Sequence, residues 1–260
     1  MKNIMIIAMG VAAGTLILSA QAAAPLTSAT ISEARNSVSY QSNATAARPA
    51  KTGDVVKETD VVRTGERSLA ELEFNDKTIT RLGSMSIFSF NAATRVFNIE
   101  RGLAVICMPK GSGGGKIVGP ALTAAIEGTT VVVWNDAIIF LEGTGTITTR
   151  DGKQSKRIHG GQIAQLINGV LTISDVDLGP LLQSRLLKGR PEPLPTWALI
   201  LDVAKGQQDA LNSGALGIAP PPETPPGTPG IDEPSYQNEG LNGVREKRTP
   251  PPPPPPPQNY

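Results

Sequence analysis

The chain has 260 residues, of which 39% are hydrophobic and 18% are charged, and its 24 basic residues nearly balance 23 acidic ones. This composition is typical of a globular protein with one or two domains. The near-neutral charge argues against a nucleic-acid partner, because binding to phosphate backbones depends on a basic surface. With one cysteine, Cys107, and one histidine, His159, the chain cannot form an intrachain disulfide or a zinc cluster of thiolates and imidazoles.

The N-terminus has the pattern of a secretory signal peptide. Lys2 precedes an apolar run from Ile4 to Leu18, and small residues follow that run. We therefore predict a signal peptide over residues 1–22, with cleavage after Ala22, and a periplasmic or secreted protein. The alternative is an uncleaved membrane anchor, since the apolar run approaches the length of a membrane span. No later stretch is long and apolar enough to cross a bilayer, so we expect no transmembrane segment after cleavage.

The segment that follows the signal peptide has little structural signal. Residues 23–52 are interpreted as a linker in which the alternating stretch from Thr30 to Tyr40 predicts an edge strand. From residue 53 to residue 174, short β-prone runs alternate with turn signals. That spacing predicts an all-β domain, an antiparallel β-sandwich or β-roll of short strands.

Within this β domain, three dipeptides predict two-residue hairpin turns: Asn135-Asp136, Asp151-Gly152 and Asn168-Gly169. The run from Leu103 to Met108 is apolar at every position, which indicates a central strand buried on both faces. In contrast, the stretch from Ala70 to Phe74 alternates, and we expect its carboxylates, Glu71 and Glu73, to face water.

Residues 175–216 predict a helical extension with two short helices. Leu181 to Leu187 forms the first, with Gly189 as its stop, and Thr196 is expected to cap the second. Trp197 lies on the apolar side of that second helix and is interpreted as a packing residue. We expect both helices to cover an edge or end of the β domain, because such short amphipathic helices need packing to be stable.

Residues 217–260 predict a disordered proline-rich tail, because proline lacks the amide donor that helices and sheets require. The run from Pro250 to Pro257 favours an extended polyproline II conformation. The tail is therefore interpreted as a spacer, with a docking segment for an aromatic groove as the alternative.

No residue set in the sequence predicts catalysis. His159 is followed by Gly160-Gly161 and lies in a turn context, not beside an acid that would orient a catalytic base. The loop from Lys110 to Lys116 is rich in glycine but lacks the glycine and hydroxyl positions of a phosphate-binding loop. Cys107 is interpreted as a small buried hydrophobe, with intermolecular pairing left open. We predict no catalytic, cofactor-binding or metal-binding residue, no cofactor and no enzymatic activity.

An ordered series of short segments carries a family resemblance. It runs through Thr64–Leu72, Asn75–Ser86, Asn98–Ala104, Ile126–Val133 and Phe140–Gly143. Together these segments resemble the FecR domain, in which turns, glycines and a Val-rich strand recur in this order. Lys77 departs from the pattern, since the family usually has a glycine there.

The resemblance implies a periplasmic interaction or signalling domain without catalytic residues. Members of the family that act as anti-sigma regulators also have a cytoplasmic segment, for which we see no counterpart before the β domain, so direct contact with a sigma factor is not expected. We therefore predict an exported FecR-like module that acts as a non-catalytic interaction, scaffold or signalling domain and binds another envelope protein, with a sheet edge as the expected contact. The alternative is a carbohydrate- or cell-wall-associated structural protein.

Overall fold

A computed structural model describes residues 25–42, 45–188 and 193–214 of the protein. The predicted signal peptide (residues 1–22), Gly189 and the whole predicted tail (residues 217–260) lie outside these residues. The strands are β1 (Ser28–Arg35), β2 (Val38–Gln41), β3 (Arg48–Pro49), β4 (Val55–Lys57), β5 (Val61–Thr64), β6 (Leu69–Phe74), β7 (Ile79–Leu82), β8 (Ile87–Asn91), β9 (Val96–Arg101), β10 (Leu103–Cys107), β11 (Gly115–Val118), β12 (Leu122–Ile126), β13 (Thr130–Trp134), β14 (Ala137–Glu142), β15 (Thr144–Thr149), β16 (Ser155–His159), β17 (Gln162–Ile167) and β18 (Val170–Asp175). The helices are α1 (Leu178–Leu182), α2 (Arg185–Lys188) and α3 (Trp197–Asn212).

The strands form two nine-stranded sheets, which confirms the predicted all-β fold. Sheet A has the order β18-β17-β14-β13-β10-β7-β6-β1-β4, and sheet B has the order β16-β15-β12-β11-β9-β8-β5-β2-β3. Neighbouring strands are antiparallel, except that β9 and β11 are parallel. The chain alternates between the sheets, usually after one hairpin, so neighbours within a sheet are close in sequence.

The two sheets pack face to face around one apolar core. Phe74 of sheet A contacts Phe88, Phe90 and Phe97 of sheet B in edge-to-face geometry, with ring centroids 6.4, 5.0 and 5.3 Å away. Such aromatic contacts add specificity to the free energy gained from burying the rings. Because successive strand residues point to opposite faces, the residues between these phenylalanines point outward.

The N-terminal part of the fold differs from the prediction of one edge strand between Thr30 and Tyr40. The segment forms two strands, β1 in sheet A and β2 in sheet B, and β1 lies between β4 and β6. Asn36 adopts a positive φ of 60° between them, which allows the chain to pass from one sheet to the other. Residues before position 53 therefore belong to both sheets.

Two of the three predicted hairpin turns have two-residue loops. Trp134 pairs with Ala137 around the Asn135 turn, and Ile167 pairs with Val170 around Asn168-Gly169. The Asp151-Gly152 hairpin is longer than predicted, since β15 ends at Thr149 and β16 begins at Ser155. The Asp151 carboxylate accepts hydrogen bonds from the Thr149 hydroxyl and from the Lys153 amide, and these bonds stabilise the wider turn.

Three helices follow the sheets, where two were predicted. The first predicted helix is divided into α1 and α2 at Gln183 and Ser184. Asp177 caps α1 by accepting a hydrogen bond from the Gly179 amide. Among the described residues, no helix combines the length and apolarity that crossing a bilayer requires.

Candidate functional site

The three helices cover the outer face of sheet A. Side chains of β10, β13, β14 and β17 on that face form a second apolar cluster with the helices, separate from the core between the sheets. Strands β13 and β14 are buried at every position, and β10 is buried except at Leu103, because they have protein on both faces. The predicted central strand from Leu103 to Met108 is thus confirmed. A sheet face covered in this way is not open to a partner.

Arg81 ties α2 to sheet A. Its side chain is 2% exposed; Nε donates to Glu71 at 2.6 Å, and Nη1 donates to the carbonyls of Leu186 and Leu187 at 3.3 and 2.7 Å. The guanidinium therefore satisfies carbonyls at the C-terminal end of α2, where a cation is favourable. The prediction that both glutamates face water is wrong for Glu71, which is 13% exposed under this cover. Glu73 is 44% exposed and pairs with Lys77.

A buried polar network anchors the start of α3. The Thr196 hydroxyl lies 2.6 Å from the Thr130 hydroxyl and 3.4 Å from the sulfur of Cys107, and Thr130 donates to Glu142 at 2.8 Å. Thr196 stands at the predicted cap position, but its side chain makes no capping hydrogen bond because the buried network uses the hydroxyl. Burial raises the pKa of the Cys107 thiol and of the Glu142 carboxyl. Cys107 is buried, as expected.

The C-terminal half of α3 rests on the turn between β16 and β17. Gln207 donates from Nε2 to the carbonyls of Gly161 and Val176, each at 2.9 Å. Gly161 has a φ of +84°, and a Cβ there would lie 2.6 Å from Gln207 Nε2. The Gly160-Gly161 turn therefore serves the close approach of a helix. Trp197 is partly buried against the same apolar cluster, as predicted for a packing residue.

His159 lies at the end of β16, and the loop from Lys110 to Lys116 joins two strands. His159 is exposed, and its ring Nδ1 is 2.9 Å from the carbonyl of the next residue, Gly160. The loop from Lys110 to Lys116 connects β10 to β11, and no helix starts at its end. Among residues 25–42, 45–188 and 193–214, no group of three or more His, Cys, Asp or Glu side chains is arranged to hold a metal ion.

At the N-terminal end of the sandwich, the outward backbone groups of the two edge strands are hydrogen-bonded to neighbouring residues or, at a proline, lack the amide donor. In β4 the backbone groups of Lys57 point away from β1; its N–H donates to the Asp60 carboxylate at 2.8 Å, and its carbonyl accepts from the Asp60 amide at 3.1 Å. In β3 the outward position is Pro49, which has no amide donor, and its carbonyl accepts from Arg48 at 3.0 Å.

At the C-terminal end, two glutamine side chains perform the same role. Gln154 accepts from the outward amide of Leu171 in β18 at 2.8 Å and donates to the Gly169 carbonyl at 2.7 Å. Gln162 accepts from the outward amide of His159 in β16 at 3.2 Å. The expected sheet-edge contact therefore meets edges that are already partly occupied, a known protection against strand addition. Neither glutamine carries a signal in the sequence, since both occur in ordinary polar surroundings.

The outer face of sheet B is left uncovered by the described helices, which pack on sheet A. Side chains on this face are in register across six neighbouring strands, β8, β9, β11, β12, β15 and β16. One such row carries no charge and contains Ser89, Asn98, Val118, Thr123, Thr148 and Ser155. With strands about 4.8 Å apart, the row is roughly 24 Å long.

Cationic side chains flank this uncharged row. Lys116 and Arg157 lie in the next row, on β11 and β16, and both are exposed. Arg63 lies on β5 and donates to Gln41 at 2.9 Å. Sheet B therefore offers a broad polar face of mixed hydroxyl, amide and basic groups, which we take as the candidate binding surface.

Comparisons with known proteins give a limited likeness. No family model matches the chain, and no curated protein matches it. Among solved structures, a crystal structure of a "putative anti-sigma factor" from Parabacteroides distasonis at 1.65 Å resolution is similar at 10% identity with a TM-score of 0.39, over 44% of this chain and 59% of that one. A second crystal structure of the same description at 2.50 Å resolution is similar at 9% identity, with the same TM-score and coverage. The present chain thus spans less than two thirds of the length of that protein.

Proposed function

We propose that this protein is an exported, FecR-like, non-catalytic module that binds another protein of the cell envelope through the outer face of sheet B and acts in scaffolding or signalling. The observation that carries the proposal is the asymmetry of the sandwich. Among the described residues, the helices cover sheet A, side chains occupy outward backbone groups at the sheet edges, and no helix packs on the outer face of sheet B. Export rests on the signal-peptide pattern of residues 1–22.

The ionisable groups of the described residues support a binding role over a catalytic one. Glu142 and Cys107 have raised pKa values, which is a property of many active sites. Both side chains, however, lie beneath α3 and face threonine hydroxyls, so a substrate has no access to them in the closed fold. Their hydrogen bonds explain their burial, and the arrangement stabilises the position of the helix.

Site-specific crosslinking in the envelope tests the proposal. A photoreactive amino acid at Thr123, in the middle of the sheet B face, should capture a reproducible partner from cells that express the full chain. The same group at Lys205 on α3, on the covered side of the sandwich, is the matched control and should not capture it. Equal capture from both positions, or none from Thr123, would contradict the proposal.

A second candidate is association with carbohydrate of the cell wall. The uncharged row of hydroxyl and amide side chains favours it, because such groups hydrogen-bond to sugar hydroxyls. It predicts that the purified chain sediments with cell-wall material in the absence of other proteins. Replacing Thr123 and Thr148 by valine should abolish that sedimentation. A module that binds only another protein would instead stay in the supernatant when it is mixed with purified cell-wall material.

A further inference from the structure

Two aliphatic side chains are exposed side by side at the tip of the β17–β18 hairpin. Ile167 is 50% exposed and Val170 is 56% exposed, and they form a directly opposed pair around Asn168-Gly169. They are the two most exposed large hydrophobic side chains in the part of the chain that the structure describes. An Asn-Gly turn needs no apolar flanks, so their position is not explained by the turn itself.

The neighbouring hairpin, β15–β16, supplies basic side chains beside this tip. Gln154 joins the two hairpins through its hydrogen bonds to Gly169 and Leu171, at 2.7 and 2.8 Å. The exposed residues of its loop and of the start of β16 include four cations and one carboxylate: Arg150, Asp151, Lys153, Lys156 and Arg157. The Lys153 side chain is 81% exposed although its ammonium lies 3.5 Å from Asp151.

The size and chemistry of this corner favour a lipid surface over a protein. A stable protein interface needs a packed apolar centre with large anchoring side chains, which one aliphatic pair does not provide. A bilayer surface needs only a small apolar tip that enters the interface and basic groups that reach anionic headgroups. Asp136, at the tip of the adjacent β13–β14 hairpin, adds one further exposed carboxylate and leaves the corner basic.

We infer that the paired tips of hairpins β15–β16 and β17–β18 form a docking point for an anionic lipid bilayer. In this arrangement Ile167 and Val170 insert among the headgroups, while Lys153 and Lys156 contact lipid phosphates. The side-chain amide of Gln154 joins the two tips through its hydrogen bonds to Gly169 and Leu171. The docking point lies at the end of the sandwich and borders the outer face of sheet B, with which it shares Arg157.

Vesicle sedimentation of the full chain tests this inference. We expect binding to vesicles of phosphatidylglycerol, weak binding to vesicles of phosphatidylcholine, and loss of binding as salt is raised. Lys153→Gln with Lys156→Gln should weaken partitioning by roughly 30-fold, since each cation near an anionic surface contributes about a fivefold factor. Ile167→Ser with Val170→Ser should weaken it at least about tenfold through loss of apolar insertion.

A matched control lies at the opposite end of sheet A. Val55, 49% exposed, and Lys57, also exposed, are replaced together by Ser and Gln, and this variant should bind as the wild type does. Circular dichroism checks that each variant keeps its fold. Three results would overturn the inference: no binding to phosphatidylglycerol, full binding by the Ile167→Ser/Val170→Ser variant, or capture of an acidic protein without any vesicle binding.

Discussion

Replacing Arg81 by alanine should release α2 from sheet A and destabilise the whole domain. The change removes the charge-assisted hydrogen bond to Glu71 and both bonds to the carbonyls of Leu186 and Leu187. Removing one partner of a buried ion pair costs about 3–5 kcal/mol, because the remaining charge stays buried without compensation. That is a large part of the ~5–15 kcal/mol by which a domain is usually stable.

Chemical denaturation followed by tryptophan fluorescence and circular dichroism measures the effect. Lys77→Ala is the matched control, because its pair with Glu73 is exposed to water and should contribute little to stability. Arg81→Met combined with Glu71→Met should recover much of the lost free energy, since an apolar pair replaces the ionic one under the helices. If Arg81→Ala lowers the free energy of unfolding by less than about 1 kcal/mol, the interpretation that Arg81 holds α2 on sheet A is refuted.

Three further outcomes are expected. Gly161→Ala should loosen α3, because the new Cβ would clash with Gln207, and amide exchange in the helix should become faster. Gly152→Ala is the control, since Gly152 has a similar φ of +74° but open space around it, so this change measures only the free-energy cost of a positive φ at alanine. Because burial raises the pKa of Glu142 above its ordinary value of 4.5, the stability that the protonated carboxyl contributes is complete at low pH and is lost as pH rises through the folded-state pKa. Glu142→Gln should therefore gain stability relative to wild type as pH increases, and parallel pH profiles would contradict this. Gln154→Ala with Gln162→Ala should expose the two C-terminal edges and promote self-association in light scattering, whereas a strictly monomeric variant would show that the glutamines do not protect the edges.

The alternating and turn patterns of the sequence predict the sandwich well, because strand periodicity and turn geometry are local properties. The Asn168-Gly169 hairpin and the central strand at Leu103 are examples, and both are found as predicted. The sequence predicts helices at an edge or end of the domain, whereas they cover the outer face of sheet A. The uniformly apolar runs of β13 and β14, beside that of β10, are the signal that the outer face of sheet A is covered.

The residues that determine which surface stays open are not predictable from local sequence. Arg81 and Glu71 form a cross-strand pair on a face that alternation alone assigns to water, and only the later helices bury them. The role of Gln162 depends on a strand edge in the other sheet, since it accepts from His159 of β16. Such contacts join segments through tertiary packing, which a periodic pattern does not record.

The alternation of the chain between the two sheets also has an evolutionary consequence. Since β15–β16 and β17–β18 are added to opposite sheets, each hairpin pairs with the preceding hairpin of its own sheet, β15 with β12 and β17 with β14. Duplication of one hairpin in each sheet would add two strands to each sheet. The contact between Phe74 and Phe88, near the other end of the sandwich, would not change. Each such addition would enlarge the polar outer face of sheet B. The helices follow the last strand in the chain and would shift with it.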